Sequence, residues 1–108
     1  MIRYELRVEA ALTRGLSKRG ICPVTAAEEV SRACAEITPE EVYAEEEKTK
    51  HNIRALVNCI QRRVSAAAKP FVHFTATSVD IMDTANALRF MEANRDLVLP
   101  MTACLLRI

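Results

Sequence analysis

Apolar positions recur along this chain with the 3.6-residue period of α-helices, and strand-like alternation is scarce. Tyr4, Val8, Leu12 and Leu16 stand one turn apart, with Ile2 and Leu6 widening the stripe. Gly20 is placed to give the left-handed cap of this first helix, and Pro23 closes it off. Thr25-Ala26-Ala27-Glu28 has the form of a capping box and predicts a short second helix through about Ala35. Thr38-Pro39-Glu40-Glu41 predicts a third start, with proline at the first helical position and acids at the positive end of the dipole. Ile53, Leu56, Val57, Ile60, Val64 and Ala67 form the clearest stripe, and Lys69-Pro70 is expected to stop that helix. Phe71 to Ala76 are expected to be extended. The next helix should begin at Thr77 or Ser78 and run past Ile81, Ala85, Leu88 and Met91 to about Asn94. Leu97, Met101, Cys104, Leu105 and Ile108 again keep helical spacing, with Pro100 tolerated in a first turn.

The fold class is therefore all-α. With 108 residues and only two glycines, no internal repeat and no linker, the chain holds one domain at most. Its last stripe reaches the final residue with no partner of its own, which predicts packing against another surface. Residues 1–96 are expected to form a helical domain and 97–108 a further helix, which folds back on the others, dimerises or, as the resemblance given below implies, is the start of a longer, truncated helix.

Composition changes this picture little. Half the residues are apolar, and 15 basic side chains nearly cancel 14 acidic ones. No global field favours nucleic acid or an anionic membrane. The acidic run Glu40-Glu41 and Glu45-Glu46-Glu47, answered by Lys48, Lys50 and Arg62-Arg63, reads as solvated helix faces. Cys22, Cys34, Cys59 and Cys104 are scattered, without zinc-ligand spacing, so no metal is expected. Arg3, Glu5 and Arg7 interrupt any apolar run at the start, as a signal peptide would not allow. The cysteines are accordingly expected to be reduced, mostly buried thiols of a cytoplasmic protein.

Two polar phrases carry the candidate chemistry. The first is Thr49-Lys50-His51-Asn52, just ahead of the strongest stripe. The second runs from His73-Phe74-Thr75-Ala76-Thr77-Ser78 to Asp80, Asp83, Thr84 and Ala85. The opening turn of a helix presents unpaired N–H groups and partial positive charge, so Thr77-Ser78 suits a carboxylate. Thr and Ser at such positions are most often plain caps; here one residue can cap while the other binds. His51 can donate to an anion or hold a proton near neutral pH, and Lys50 adds positive charge. Without the second phrase, the pair would read as a surface feature of a helix start. His73 is read equally as a structural hydrogen-bonding residue and as an active-site group.

Together the phrases resemble the substrate-binding signature of the fumarase/aspartase superfamily, and within it the adenylosuccinate lyases. These carry Thr-Arg/Lys-His-Asp and, a couple of dozen residues on, His-aromatic-Gly-x-Thr-Ser-x-Asp-x-x-Asp-Thr-Ala. Tyr4-Glu5-Leu6-Arg7-Val8-Glu9 resembles the family's first helix, and Gly20-Ile21-Cys22-Pro23 is similar to its Gly-Ile/Val-Ile-Pro turn. The resemblance implies an N-terminal all-α domain that ends at the start of a long bundle helix. It implies Lys50, His51, Asn52, Thr77 and Ser78 as substrate-binding residues, with Thr77 and Ser78 on the succinyl part. His51 is a supporting catalytic candidate. The small-molecule substrate implied is a succinyl-amino purine nucleotide, from which fumarate is eliminated without a cofactor. The assembly implied is a homotetramer.

Asn52 stands where the family has Asp, and Thr75 where it has Gly. The family's Thr-His phrase and its Gly-Ser-Ser loop are absent from these residues. Carboxymuconate cycloisomerases share much of the second phrase and are the alternative enzyme reading. A stand-alone helical interaction module is the alternative without catalysis.

Overall fold

The computed structural model describes residues 1–108 and consists of helices and their connections. They are α1 (Ile2–Lys18), α2 (Val24–Glu36), α3 (Pro39–Thr49), α4 (Asn52–Arg62), α5 (Ser78–Ala93) and α6 (Leu99–Leu105). A 3₁₀ turn at Lys69–Phe71 lies between α4 and α5, and a π-helical stretch at Asn94–Val98 joins α5 to α6. No helix is long and apolar enough to cross a membrane.

The first helix ends as its glycine predicts. Gly20 adopts φ +73°, the Ile21 N–H donates to the Leu16 carbonyl at 3.0 Å, and the Gly20 N–H to that of Ser17 at 3.0 Å. This is the Schellman arrangement, which satisfies two terminal carbonyls. The second start differs from expectation. Helix α2 begins at Val24, and Pro23, with ψ 143°, occupies the cap position without a side-chain bond. Its carbonyl accepts the Ala27 N–H at 3.2 Å, so Thr25 already lies inside the helix and the proposed box with Glu28 does not form. At α3 the box does form: the Glu41 carboxylate accepts the Thr38 N–H at 2.9 Å.

Helix α1 packs against α2 and α5, and α3 pairs with α4. Ile53, Leu56, Ile60 and Ile81 are almost wholly removed from water, along with Val30 and Val42. Burial of each large aliphatic side chain stabilises the fold by about 1.5–3 kcal/mol. The acidic run is not simply a solvated face. Glu45 is buried and accepts hydrogen bonds from Arg62 at 2.6 Å and Asn58 at 3.1 Å, while Glu41 takes Arg63 at 2.7 Å. The Arg62 bond, then Asn58, holds the Glu45 carboxyl below the usual carboxylate range. Arg62 at the end of α4 and Arg63 at its cap thus clamp the helix to α3.

Helix α4 stops at Arg62, short of the expected stop at Lys69-Pro70. The cause is a carboxylate on another helix. Glu29 of α2 accepts the Ser65 N–H at 2.7 Å and its hydroxyl at 3.1 Å, diverting the backbone from the helical ladder. Val64 and Ala68 remain buried in the connection. The Phe71–Ala76 segment is not extended either. It makes tight turns, with His73 at φ +59° and Thr75 at φ +68°. These left-handed residues fold the chain back so that α5 starts beside α4.

Beyond α5 the helical rod continues through the π stretch into α6. Pro100 has no N–H to give the ladder, and the widened turn before it accommodates that loss. Leu97, Val98, Leu99, Met101, Leu105, Leu106 and Ile108 are all at least half exposed, as are Phe90 and Met91 on α5. Cys104 is exposed, and the other three cysteines are buried. The projecting rod explains the radius of gyration of 16.3 Å, against about 13 Å for a compact chain of this length.

Two expectations follow. Thr75→Gly should raise stability by about 0.5–1 kcal/mol, because a β-branched residue is strained at this φ and glycine is not. Urea unfolding reads the effect, and a lowered midpoint would show that the left-handed turn carries no strain. The uncovered rod should make the chain self-associate. In sedimentation, Leu97→Asp combined with Leu105→Asp should release monomer, whereas a monomeric parent chain would show that the apolar face needs no partner.

Candidate functional site

The two phrases converge because the connection between α3 and α4 reverses in very few residues. Lys50 takes the left-handed conformation (φ 55°) as the cap of α3, its N–H donating to the Glu46 carbonyl at 2.7 Å. His51 then turns extended and becomes the N-cap of α4. Its Nδ1 accepts the Arg54 N–H at 3.2 Å. A ring nitrogen that accepts carries no proton, so the proton of neutral His51 sits on Nε2. One bond caps the helix and leaves a donor on the ring's far side.

At the second phrase Thr77 is the N-cap of α5, and the Asp80 carboxylate accepts its N–H at 2.8 Å. The Asp80 and Ile81 N–H groups turn back to the Thr77 carbonyl, at 3.1 and 3.4 Å. The N–H groups of Ser78 and Val79 stay open, as expected at a helix start. Ser78 itself is half-buried.

His51 and Ser78 line one shallow depression of about 290 Å³ together with Ile53, Arg54, Val57 and His73. It contains a fixed donor, a guanidinium, a serine hydroxyl and a second imidazole over an aliphatic floor. Such a set suits an anion with an apolar stem.

The other expected site residues lie outside its lining. Lys50 points to solvent with its ammonium 3.4 Å from Glu47. The Asn52 amide donates to Met82 Sδ at 3.3 Å, and its carbonyl accepts the Ile53 N–H at 2.8 Å. Asn52 therefore fastens the start of α4 to α5. Thr77 is exposed at its cap. Arg54, which does line the depression, stands three residues after His51 at the helix start. That i, i+3 spacing was the available signal for it.

His73 reaches inward as well. Its Nδ1 lies 2.6 Å from Oε1 of Glu9, a residue of α1 with no exposed surface. The second carboxylate oxygen of Glu9 is buried without a partner. Burial pushes the Glu9 carboxyl up, and the His73 contact opposes that shift without cancelling it. Burial, and after it the Glu9 carboxylate, pushes the neighbouring Cys34 thiol up to about 12, so Cys34 is an inert apolar wall. No three or more of the His, Cys, Asp and Glu side chains gather as metal ligands.

The fold and this depression define an all-helical domain in which two helix starts adjoin. Its sequence is similar to part of several adenylosuccinate lyases. It is similar to the adenylosuccinate lyase of Archaeoglobus fulgidus, 41% identical over 92 residues, or 85% of this chain and 20% of that protein. It is similar also to that of Methanocaldococcus jannaschii, 37% identical over 90 residues, 82% of this chain and 20% of the relative. A third relative is the N-acetyl-S-(2-succino)cysteine lyase of Enterococcus italicus, 31% identical over 94 residues, 85% of this chain and 20% of the relative. Stretches this long cannot fit in 108 residues without containing both phrases. The chain spans about a fifth of the length of these curated relatives. No family model and no solved structure matches it.

The cap geometry sets an expectation of its own. His51→Ala should lower stability by about 1 kcal/mol through loss of the N-cap, and His51→Asn should restore most of it. Thermal unfolding of the two variants measures this. Equal losses would mean that the Nδ1 bond contributes nothing.

Proposed function

We propose that this chain supplies the succinyl-recognition region of an adenylosuccinate lyase-like enzyme, which eliminates fumarate from a succinyl-amino nucleotide of purine biosynthesis. One observation carries the reading: His51 of the first phrase and Ser78 of the second line the same depression, beside Arg54. The names of the relatives support it. Adenylosuccinate lyase and N-acetyl-S-(2-succino)cysteine lyase act on substrates that differ in the group released and share the succinyl part. A region similar to both is best matched to the shared part.

The chemistry follows from the residues in place. The open N–H groups of Ser78 and Val79, the Ser78 hydroxyl and Nε2–H of His51 are donors to a carboxylate, and Arg54 adds charge. In β-elimination, negative charge grows on the carboxylate next to the carbon that loses its proton. Preorganised donors there lower the barrier. Lys50, Asn52 and Thr77 belong to this reading as the residues flanking the two helix starts. The proton-transfer groups come from the Thr-His and Gly-Ser-Ser phrases, which these residues do not contain. Residues 97–108 serve as the start of a bundle helix in a cytoplasmic homotetramer, which would cover the exposed rod.

On this reading the 108-residue chain alone does not cleave adenylosuccinate. A chimera in which it replaces the matched region of the Archaeoglobus fulgidus enzyme does. In that chimera, Ser78→Ala should cost about 1.5–3 kcal/mol, a roughly ten- to hundredfold loss in kcat/KM, with melting temperature nearly unchanged. Wild-type kinetics for both Ser78→Ala and His51→Ala, with only melting temperature lowered, would reduce the two phrases to helix caps.

A further inference from the structure

Glu9 is an unusual choice for the partner of His73. It is fully buried, and one of its carboxylate oxygens has no hydrogen bond. A buried carboxylate is costly unless it is paired, and a glutamine of the same shape would satisfy the contact at lower cost. The two differ in what they allow the ring to do. A glutamine amide can donate to Nδ1 or accept from it. An ionised carboxylate only accepts, so it requires a proton on Nδ1.

We propose that Glu9 is a positioning residue for His73: it holds a proton on Nδ1 and leaves Nε2 of His73 as the ring nitrogen available to the depression. In its neutral form the ring then offers an acceptor. His51, on the same depression, is fixed the opposite way, since its Nδ1 accepts from Arg54 and its Nε2 donates. The two imidazoles thus present opposite hydrogen-bonding polarity to whatever binds. The depression asks its ligand for an acceptor beside His51 and a donor beside His73. A bare dicarboxylate meets only the first demand, whereas a succinyl group carrying an N–H meets both.

The left-handed backbone at His73 and Thr75 belongs to this arrangement. It turns the ring inward, and the Glu9 contact spans 64 residues to hold it there. The polarity of the ligand site rests on the lyase reading above, but the tautomer of His73 does not.

The chain has two histidines, so their ring nitrogens can be assigned with His51→Asn and His73→Asn variants. Long-range proton–nitrogen spectra of the ¹⁵N-labelled chain at about pH 8, where an ordinary imidazole is neutral, read the tautomers directly. His73 should carry its proton on Nδ1 and His51 on Nε2. In Glu9→Gln, His73 should become a mixture of both tautomers while the His51 signals stay in place and report an intact fold. A proton on Nε2 of His73 in the parent chain overturns the proposal, and so does an unchanged His73 tautomer in Glu9→Gln. If that variant fails to fold, the parent spectrum decides. Succinate added to the parent chain should shift the His51 Nε2 and Ser78 amide signals. Absence of that shift counts against succinyl recognition and leaves the tautomer result standing.

Discussion

The contact between His73 and Glu9 is the constraint on which the arrangement of the site depends. It ties the middle of α1 to a connection that contains no regular helix beyond one 3₁₀ turn. That connection must reverse the chain, and two non-glycine residues adopt left-handed conformations to do so. Such conformations cost energy and persist only where surrounding contacts enforce them. The buried carboxylate provides that enforcement, and the buried Val72 and Ala68 anchor the same segment from the apolar side. With the connection fixed, Thr77 falls at the start of α5 and Ser78 comes to rest beside His51. The position of the serine is thus decided by a glutamate on the first helix.

Much of this was legible in the sequence, and the reasons differ by element. The stripes of α1 and α4 and the box at Thr38 are local signals, and local hydrogen bonding realises them. The reach of α4 was not legible. Its stripe runs on through Val64, and what stops the helix is Glu29, an acid on another helix with no mark in the sequence near Ser65. The Phe71–Ala76 turns were hidden for a related reason. Histidine is only modestly enriched at positive φ and β-branched threonine is disfavoured there, and the glycine that would have announced such a turn is missing at position 75. The substitution noted in the family phrase marked the spot without revealing its geometry.

The candidate site divides along the same line. His51 and Ser78 were identified through the phrases, and the structure brings them together. Lys50 holds the basic place of the family phrase and adds charge beside His51, yet a left-handed cap turns the backbone between them and sends the lysine towards Glu47. Arg54 and Glu9 joined the site only when helices were placed in space. Glu9 sat in full view within the first helical phrase, where an acid on an apolar face is the signal that something must pair with it.

The molecule also separates its tasks by region. Residues from α1 to the start of α5 bury their apolar faces against one another and position the polar groups. The later part of α5 and all of α6 expose theirs. The region that carries the candidate site is therefore built independently of the region that leaves its apolar face uncovered. The most direct examination of the candidate site is a crystal structure of the chain grown with succinate. One carboxylate should sit at the start of α5, within hydrogen-bonding distance of the Ser78 N–H and hydroxyl, with His51 Nε2 or Arg54 on the same anion. Succinate bound instead in the groove that Arg3, Arg7 and Arg14 of α1 line, with the His51–Ser78 depression empty, would contradict the assignment of these two helix starts as the succinyl site.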